Sequence, residues 1–191
     1  MQPNELLDIL QVAGRLKTTT RHCYTQENRK ESVADHSWRI SLMAMLLTNE
    51  FPEADMNRVI RMCLIHDLGE AFTGDIPSFY KKDEDEDKEE ELLFNWVNTF
   101  PEAEREEWMA LYKEMLALET QEAKIYKALD RLEAVISHDE SDLSTWLPLE
   151  FELNFTYGNE NIGFSEYMKR LKAEIDKMTQ AEVDKYKSEN S

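Results

Sequence analysis

"LIHDLGEAFTGDIP", residues 64–77, opens as a core helix and turns abruptly polar. Leu64, Ile65 and Leu68 bracket His66 and Asp67, Glu70 follows three residues after the aspartate, and Gly74, Asp75 and Pro77 close the stretch. An imidazole beside a carboxylate in apolar surroundings is costly unless something compensates, and a bound cation is the most effective compensation. The helical spacing that precedes these residues and the charge that ends it set the two questions of fold and function.

Working outward, apolar residues recur at helical spacing through most of the chain. A first helix is predicted over 3–16, carried by Leu6, Leu7, Leu10 and Ala13. "KTTTRHCYTQENRKE" (17–31) is polar and aperiodic and reads as a long loop, a length often associated with function. Ser32, with Asp35 three residues on, caps a helix expected to run to about residue 50. Further helices are expected over 56–67, 79–100, 101–118, 121–139 and 165–187, with a less regular aromatic-rich stretch between Trp146 and Phe164. Nothing alternates convincingly with period two, so the expected class is all-α.

The bulk numbers bound the alternatives. At 191 residues and 41% apolar composition the chain has enough material for one domain with a real core, and five Gly with five Pro are too few turns for a β-sandwich. A net charge of −18 argues against nucleic acid and anionic membranes as partners. No segment approaches 18 consecutive apolar residues, the start carries no basic leader, and Cys23 and Cys63 stand alone, which together predict a cytoplasmic protein. The run "DEDEDKEEE" (83–91) imitates the start of a calcium loop, but Lys88 and Phe94 stand where Gly and Glu are needed, so it reads as a solvated helix start.

Only four histidines occur, and two sit next to aspartate in apolar surroundings: His36 in "VADHSW" (33–38) and His66. Asp130 lies within the apolar ladder Ile125, Leu129, Leu132 and Val135, where it either joins them or pairs with Lys127 or Arg131. Two His and two Asp suit a divalent ion such as Mn²⁺, Co²⁺, Fe²⁺, Ni²⁺ or Mg²⁺ at an open position better than a closed structural zinc site.

The ordered elements "SVADHSW", "HDLGEAFTGDIP" and "KALDRLE" resemble the HD-domain metal-dependent phosphohydrolases, in particular the branch of bacterial 5′-deoxynucleotidases and HD-domain-containing 2 proteins. The resemblance covers about residues 4–140 and implies an HD-domain helical bundle, with 141–191 as a helical extension of a single domain. It makes His36, His66, Asp67 and Asp130 the metal ligands, and places Glu70 and Asp75 on the attacking water and the substrate. It aligns Arg21, 15 residues before His36, with a phosphate-contacting arginine; where the family carries Arg-Trp this chain has Arg21-His22. Arg29 and Arg39 are further candidates for the phosphate.

The chemistry agrees with that carry-over. On a continuing helix Glu70 would share a side with His66 and Asp67 and take a proton from water, while Gly74 would turn Asp75 toward the same place. A guanidinium would offset the repulsion between a phosphate and a chain of −18. The expected function is a phosphomonoesterase acting on nucleoside 5′-monophosphates. The alternatives are an HD hydrolase of another phosphate ester or alarmone pyrophosphate, and a silent metal-dependent binding module. No His occurs between residues 67 and 138, which disfavours a di-iron oxygenase. The aromatic stretch from Trp146 to Phe164 suggests an interface and hence a homodimer.

Overall fold

Ser32 caps a helix as the sequence predicts. Its Oγ accepts from Asp35 N at 3.1 Å and Asp35 Oδ2 accepts from Ser32 N at 2.8 Å, a reciprocal pair that satisfies two backbone donors a helix start leaves free. In this computed structural model, which describes residues 1–189, the helix so started is α2 (Val33–Leu46). The remaining helices are α1 (Pro3–Ala13), α3 (Met56–Ile65), α4 (Glu70–Thr73), α5 (Asp83–Val97), α6 (Glu102–Ala117), α7 (Gln121–Asp139), α8 (Glu150–Thr156) and α9 (Glu166–Glu189). The all-α expectation holds for the bundle as a whole.

Helices α2, α3 and α7 form its centre. Ile40 and Ala44 of α2, Val59, Met62 and Cys63 of α3, and Ile125, Leu129 and Leu132 of α7 are all excluded from solvent. Each large aliphatic side chain buried this way contributes about 1.5–3 kcal/mol. The same α7 ladder that buries Leu129 and Leu132 delivers Asp130 and Glu133 toward α2 and α3, so packing and site share one helix. Met168 and Ile175 of α9 join this core from the C-terminal side.

Several expectations are corrected. Residues 17–31 are not a loop: β1 (Thr20–Tyr24) and β2 (Lys30–Ser32) pair antiparallel, Thr20 opposite Ser32 and Tyr24 opposite Lys30, with Asn28 at φ 58 in the turn. The hairpin lacks an apolar alternation because Arg21 and Glu31 occupy sheltered positions beside Cys23, held there by each other's charge. The helix expected over 79–100 starts only at Asp83; the acidic run forms its exposed first turns, where negative charge suits the helix dipole. Of the aromatics from Trp146 to Phe164 only Phe164 is exposed, at 38%. Trp146 is buried with Leu143 and Val183, Phe151 packs against them, and Arg131 lies 4.8 Å from the Tyr157 ring centroid, so its aromatics cover α7 and α9.

The third helix ends at Ile65, not Asp67. Tyr112 Oη donates to the Ile65 carbonyl at 2.8 Å, and Leu68 N to Ile65 O and Glu70 N to Asp67 O continue as tighter i→i+3 turns. Glu70 therefore opens a separate short helix, α4, instead of riding on α3. Gly69 permits this turn to pass beside α5, since a Cβ there would fall 2.6 Å from Glu89 Cγ. Gly74, at φ 78, ends α4 in a conformation that side-chain-bearing residues rarely adopt and redirects the chain to Asp75. Among the described residues no helix is long and apolar enough to cross a membrane.

Candidate active site

Four side chains from three places in the sequence converge at the end of α3. His36 Nε2 and His66 Nε2 are 3.2 Å apart. Asp67 Oδ2 lies 2.9 Å from His66 Nε2 and 3.8 Å from His36 Nε2, and Asp130 Oδ1 lies 3.3 Å from His36 Nε2 and 3.7 Å from His66 Nε2. Donor atoms held about 2.1 Å from a common ion stand roughly 3.0–3.4 Å from one another in octahedral or tetrahedral arrangements, close to these separations.

The hydrogens are turned away from this centre. His66 Nδ1–H donates to the Cys63 carbonyl at 2.9 Å, and His36 Nδ1–H donates to Glu133 Oε2 in the solvent-excluded interior. Each ring thus presents an Nε2 lone pair to the other and to two carboxylates. Four electron-rich atoms facing one point with no hydrogen between them fit a divalent cation. Without a cation the same arrangement draws protons: burial opposes a charged His66, but Asp67 and Asp130 outweigh it and push the ring up to about 10. Burial likewise opposes an ionised Asp67, yet the histidines hold its carboxyl down at about 2. The centre demands positive charge. Lys127 Nζ contacts Asp130 Oδ2 at 2.9 Å, so the expected ion pair and the inward-facing Oδ1 coexist on one carboxylate.

The centre opens into a cavity of about 240 Å³ whose lining includes Arg21, Asp67, Glu70, Asp75, Lys81 and Asp130. Glu70 is buried, and its Oε2 has no hydrogen-bond partner. Burial, then the charges of Asp67, Asp75 and Glu89, push its carboxyl up to about 10. Burial also raises Asp75, while Arg21 pulls the other way.

Arg21 reaches the cavity from β1, with Nη1 held at 2.9 Å from Glu31 Oε2 and 3.4 Å from Glu133 Oε2. It is thus both a cavity residue and one partner of a buried ion pair. Arg29 and Arg39 are not brought to the cavity lining. Arg29 pairs with Asp35 at the surface at 2.8 Å, and Arg39 makes two 2.7 Å contacts with Glu140.

Glu133 is the functional residue the sequence reading passes over. It orients His36, receives Arg21, and is fixed by Ser137 Oγ donating to its Oε1 at 2.8 Å. The signal was present in its spacing, three residues after Asp130 on the same helix. Glu31 accepts from Arg21 as its ion-pair partner, and its Oε1 lies 2.9 Å from Ser137 Oγ, closing the network.

Comparison with known proteins gives the family. A family model described as HD domain matches residues 13–172. The 5′-deoxynucleotidase HDDC2 of Homo sapiens is 33% identical over 139 residues, covering 71% of this chain and 67% of that protein. Its counterpart in Mus musculus is 33% identical, covering 71% and 69%. A solved structure described as "predicted metal-dependent phosphohydrolase", from Magnetospirillum magnetotacticum MS-1, is similar over 95% of both chains at 29% identity, with a TM-score of 0.77. With its histidines and aspartates converged at the end of α3 and a family match across most of its length, the chain belongs to the HD domain family.

Proposed function

We propose that this protein is a metal-dependent 5′-nucleotidase that releases phosphate from nucleoside 5′-monophosphates, 2′-deoxynucleotides foremost. The observation that carries this reading is the convergence of His36, His66, Asp67 and Asp130 on one point, beside a buried carboxylate oxygen of Glu70 that has no partner. The names of the curated relatives, 5′-deoxynucleotidases, support the substrate class.

In this reading His36, His66, Asp67 and Asp130 hold a divalent ion drawn from Mn²⁺, Co²⁺, Fe²⁺, Ni²⁺ or Mg²⁺. Such an ion supplies Lewis acidity toward a phosphoryl oxygen and lowers the pKa of water. Glu70 takes the proton of the attacking water at its free oxygen, and a cation held by the neighbouring ligands would oppose the burial and the Asp67 charge that raise its carboxyl. Asp75 holds the substrate's leaving side. Arg21, anchored by Glu31 and Glu133, directs its guanidinium to the phosphate and offsets the repulsion of an acidic chain.

We read the chain as one HD domain, with α8 and α9 as its extension packed on α7. The buried, unpaired Cys23 and Cys63 fit a reducing cytoplasm. An exposed apolar stripe of Trp38, Leu42, Met45 and Leu46 on α2 supports a homodimer, which light scattering would report as a mass above 22.5 kDa.

Phosphate release from a panel of 2′-deoxynucleoside, ribonucleoside and 3′-monophosphates tests the function. The expected result is turnover of 5′-monophosphates; turnover of none, or indifference to phosphate position, overturns it.

A further inference from the structure

The cavity holds a second cluster of metal-ligating atoms, at the other side of its lining from the HD pair in sequence: His22 from β1, His138 from the last turn of α7, and Glu150 from the start of α8. Glu150 is excluded from solvent, and its Oε2 accepts from Leu147 N at 2.6 Å. Its other oxygen, Oε1, lies 3.2 Å from His22 Nε2 and 3.2 Å from His138 Nε2. Glu150 Oε1 and His22 Nε2 are both buried without a hydrogen-bond partner.

A structural His–carboxylate pair would aim an N–H at the oxygen. Here two ring nitrogens flank one carboxylate oxygen at ligand-to-ligand separations, and the oxygen and one of the nitrogens are left unsatisfied. Leaving such buried polar atoms unpaired is costly, so a group that satisfies them together is favoured.

We propose that His22, His138 and Glu150 form a second divalent-metal site of the zinc class, separate from the site of His36, His66, Asp67 and Asp130. Two imidazoles and one carboxylate are the protein ligand set of open zinc sites, in which the remaining position is left for water or an exogenous ligand. Glu150 is oriented by the Leu147 N–H on its second oxygen, the kind of outer contact that fixes a metal-binding carboxylate. The Cys23 thiol adjoins His138 and lines the same cavity. Three independently placed elements thus meet at Glu150 Oε1. This site does not depend on the proposed nucleotidase reaction.

The test removes the first site before looking for the second. The His66→Ala/Asp67→Ala double variant, stripped with chelator and dialysed against dilute Zn²⁺ or Co²⁺, is expected to retain about one ion per chain by elemental analysis. Adding Glu150→Gln, or separately His22→Ala on the hairpin, is expected to abolish that ion with the circular dichroism spectrum unchanged. Cobalt loading should give visible d–d absorption in the double variant and none in either triple variant. A double variant that holds no metal overturns the proposal, as does equal metal content in double and triple variants. A wild type that holds no more metal than the double variant would instead refute the first site, so the two failures are distinguishable.

Discussion

His36 and Glu133, 97 residues apart in sequence, meet ring nitrogen to carboxylate in the interior, both with side chains wholly excluded from solvent. This contact sets which nitrogen of His36 carries the hydrogen and so which one faces the metal centre. Glu133→Gln keeps the volume but removes the charge that Nδ1–H and Arg21 both use. Removing such an outer partner typically costs 10–100-fold, so metal affinity should fall by about that factor. Competition titration against a chromophoric chelator measures it, and an unchanged affinity would show that Glu133 serves only packing.

Glu70 is expected to be separable from metal binding. Glu70→Gln should leave the fold and the bound ion intact and reduce turnover by about 10²–10⁴, the usual range for losing a general base. Elemental analysis and kcat on the same preparation decide it; a variant keeping more than about a third of wild-type kcat would remove Glu70 from that role.

Arg21 carries two duties, and its replacement should show both. Arg21→Ala should lower kcat/KM on a monophosphate by about 10–150-fold, corresponding to the loss of a charged hydrogen bond worth about 1.5–3 kcal/mol. It should also lower stability, because Glu31 and Glu133 lose their shared cation. Lys should restore stability more than activity, since a point charge does not reproduce a two-pronged grip. A variant with lowered Tm and unchanged kcat/KM would leave only the ion pair.

Glu114 gives a pH-dependent test of the scaffold, remote from the site. It accepts from Arg58 Nε of α3 at 2.6 Å and from the α7 cap residue Thr120 at 2.6 Å. Burial raises its carboxyl, but the Arg58 and Thr120 hydrogen bonds outweigh this and hold it below the usual range. The folded protein therefore binds fewer protons there than the unfolded chain, so the stabilisation is complete above the ordinary glutamate pKa and is lost as pH falls through the folded value. Glu114→Gln should cost about 1 kcal/mol at neutral pH, and the gap from wild type should close below about pH 4. Urea denaturation at both pH values checks it; a gap that is constant with pH contradicts the assigned contacts.

What the sequence made legible followed from periodicity and from rare residue types. The long amphipathic helices α6, α7 and α9 lie near their expected bounds because their apolar faces are buried in the expected period. His36, His66, Asp67 and Asp130 were identifiable because charged groups stood inside apolar ladders. The hairpin was hidden because Arg21 and Glu31 fill sheltered positions where alternation would demand apolar residues. The end of α3 was hidden because its stop depends on Tyr112, 47 residues away, taking the Ile65 carbonyl. Glu133 carried a local signal in its spacing from Asp130, whereas the cluster around Glu150 is a long-range contact between ordinary-looking polar residues that no local pattern announces.

The central claim is that His36, His66, Asp67 and Asp130 hold the divalent ion on which nucleotide hydrolysis depends. Phosphate release from a 2′-deoxynucleoside 5′-monophosphate, followed for wild type and Asp67→Ala after chelation and then with added Mn²⁺ or Co²⁺, tests it most directly. The account predicts that wild type falls silent on chelation and recovers with metal, whereas Asp67→Ala stays silent throughout. Hydrolysis that survives chelation, or an Asp67→Ala variant that recovers alongside wild type, would contradict it.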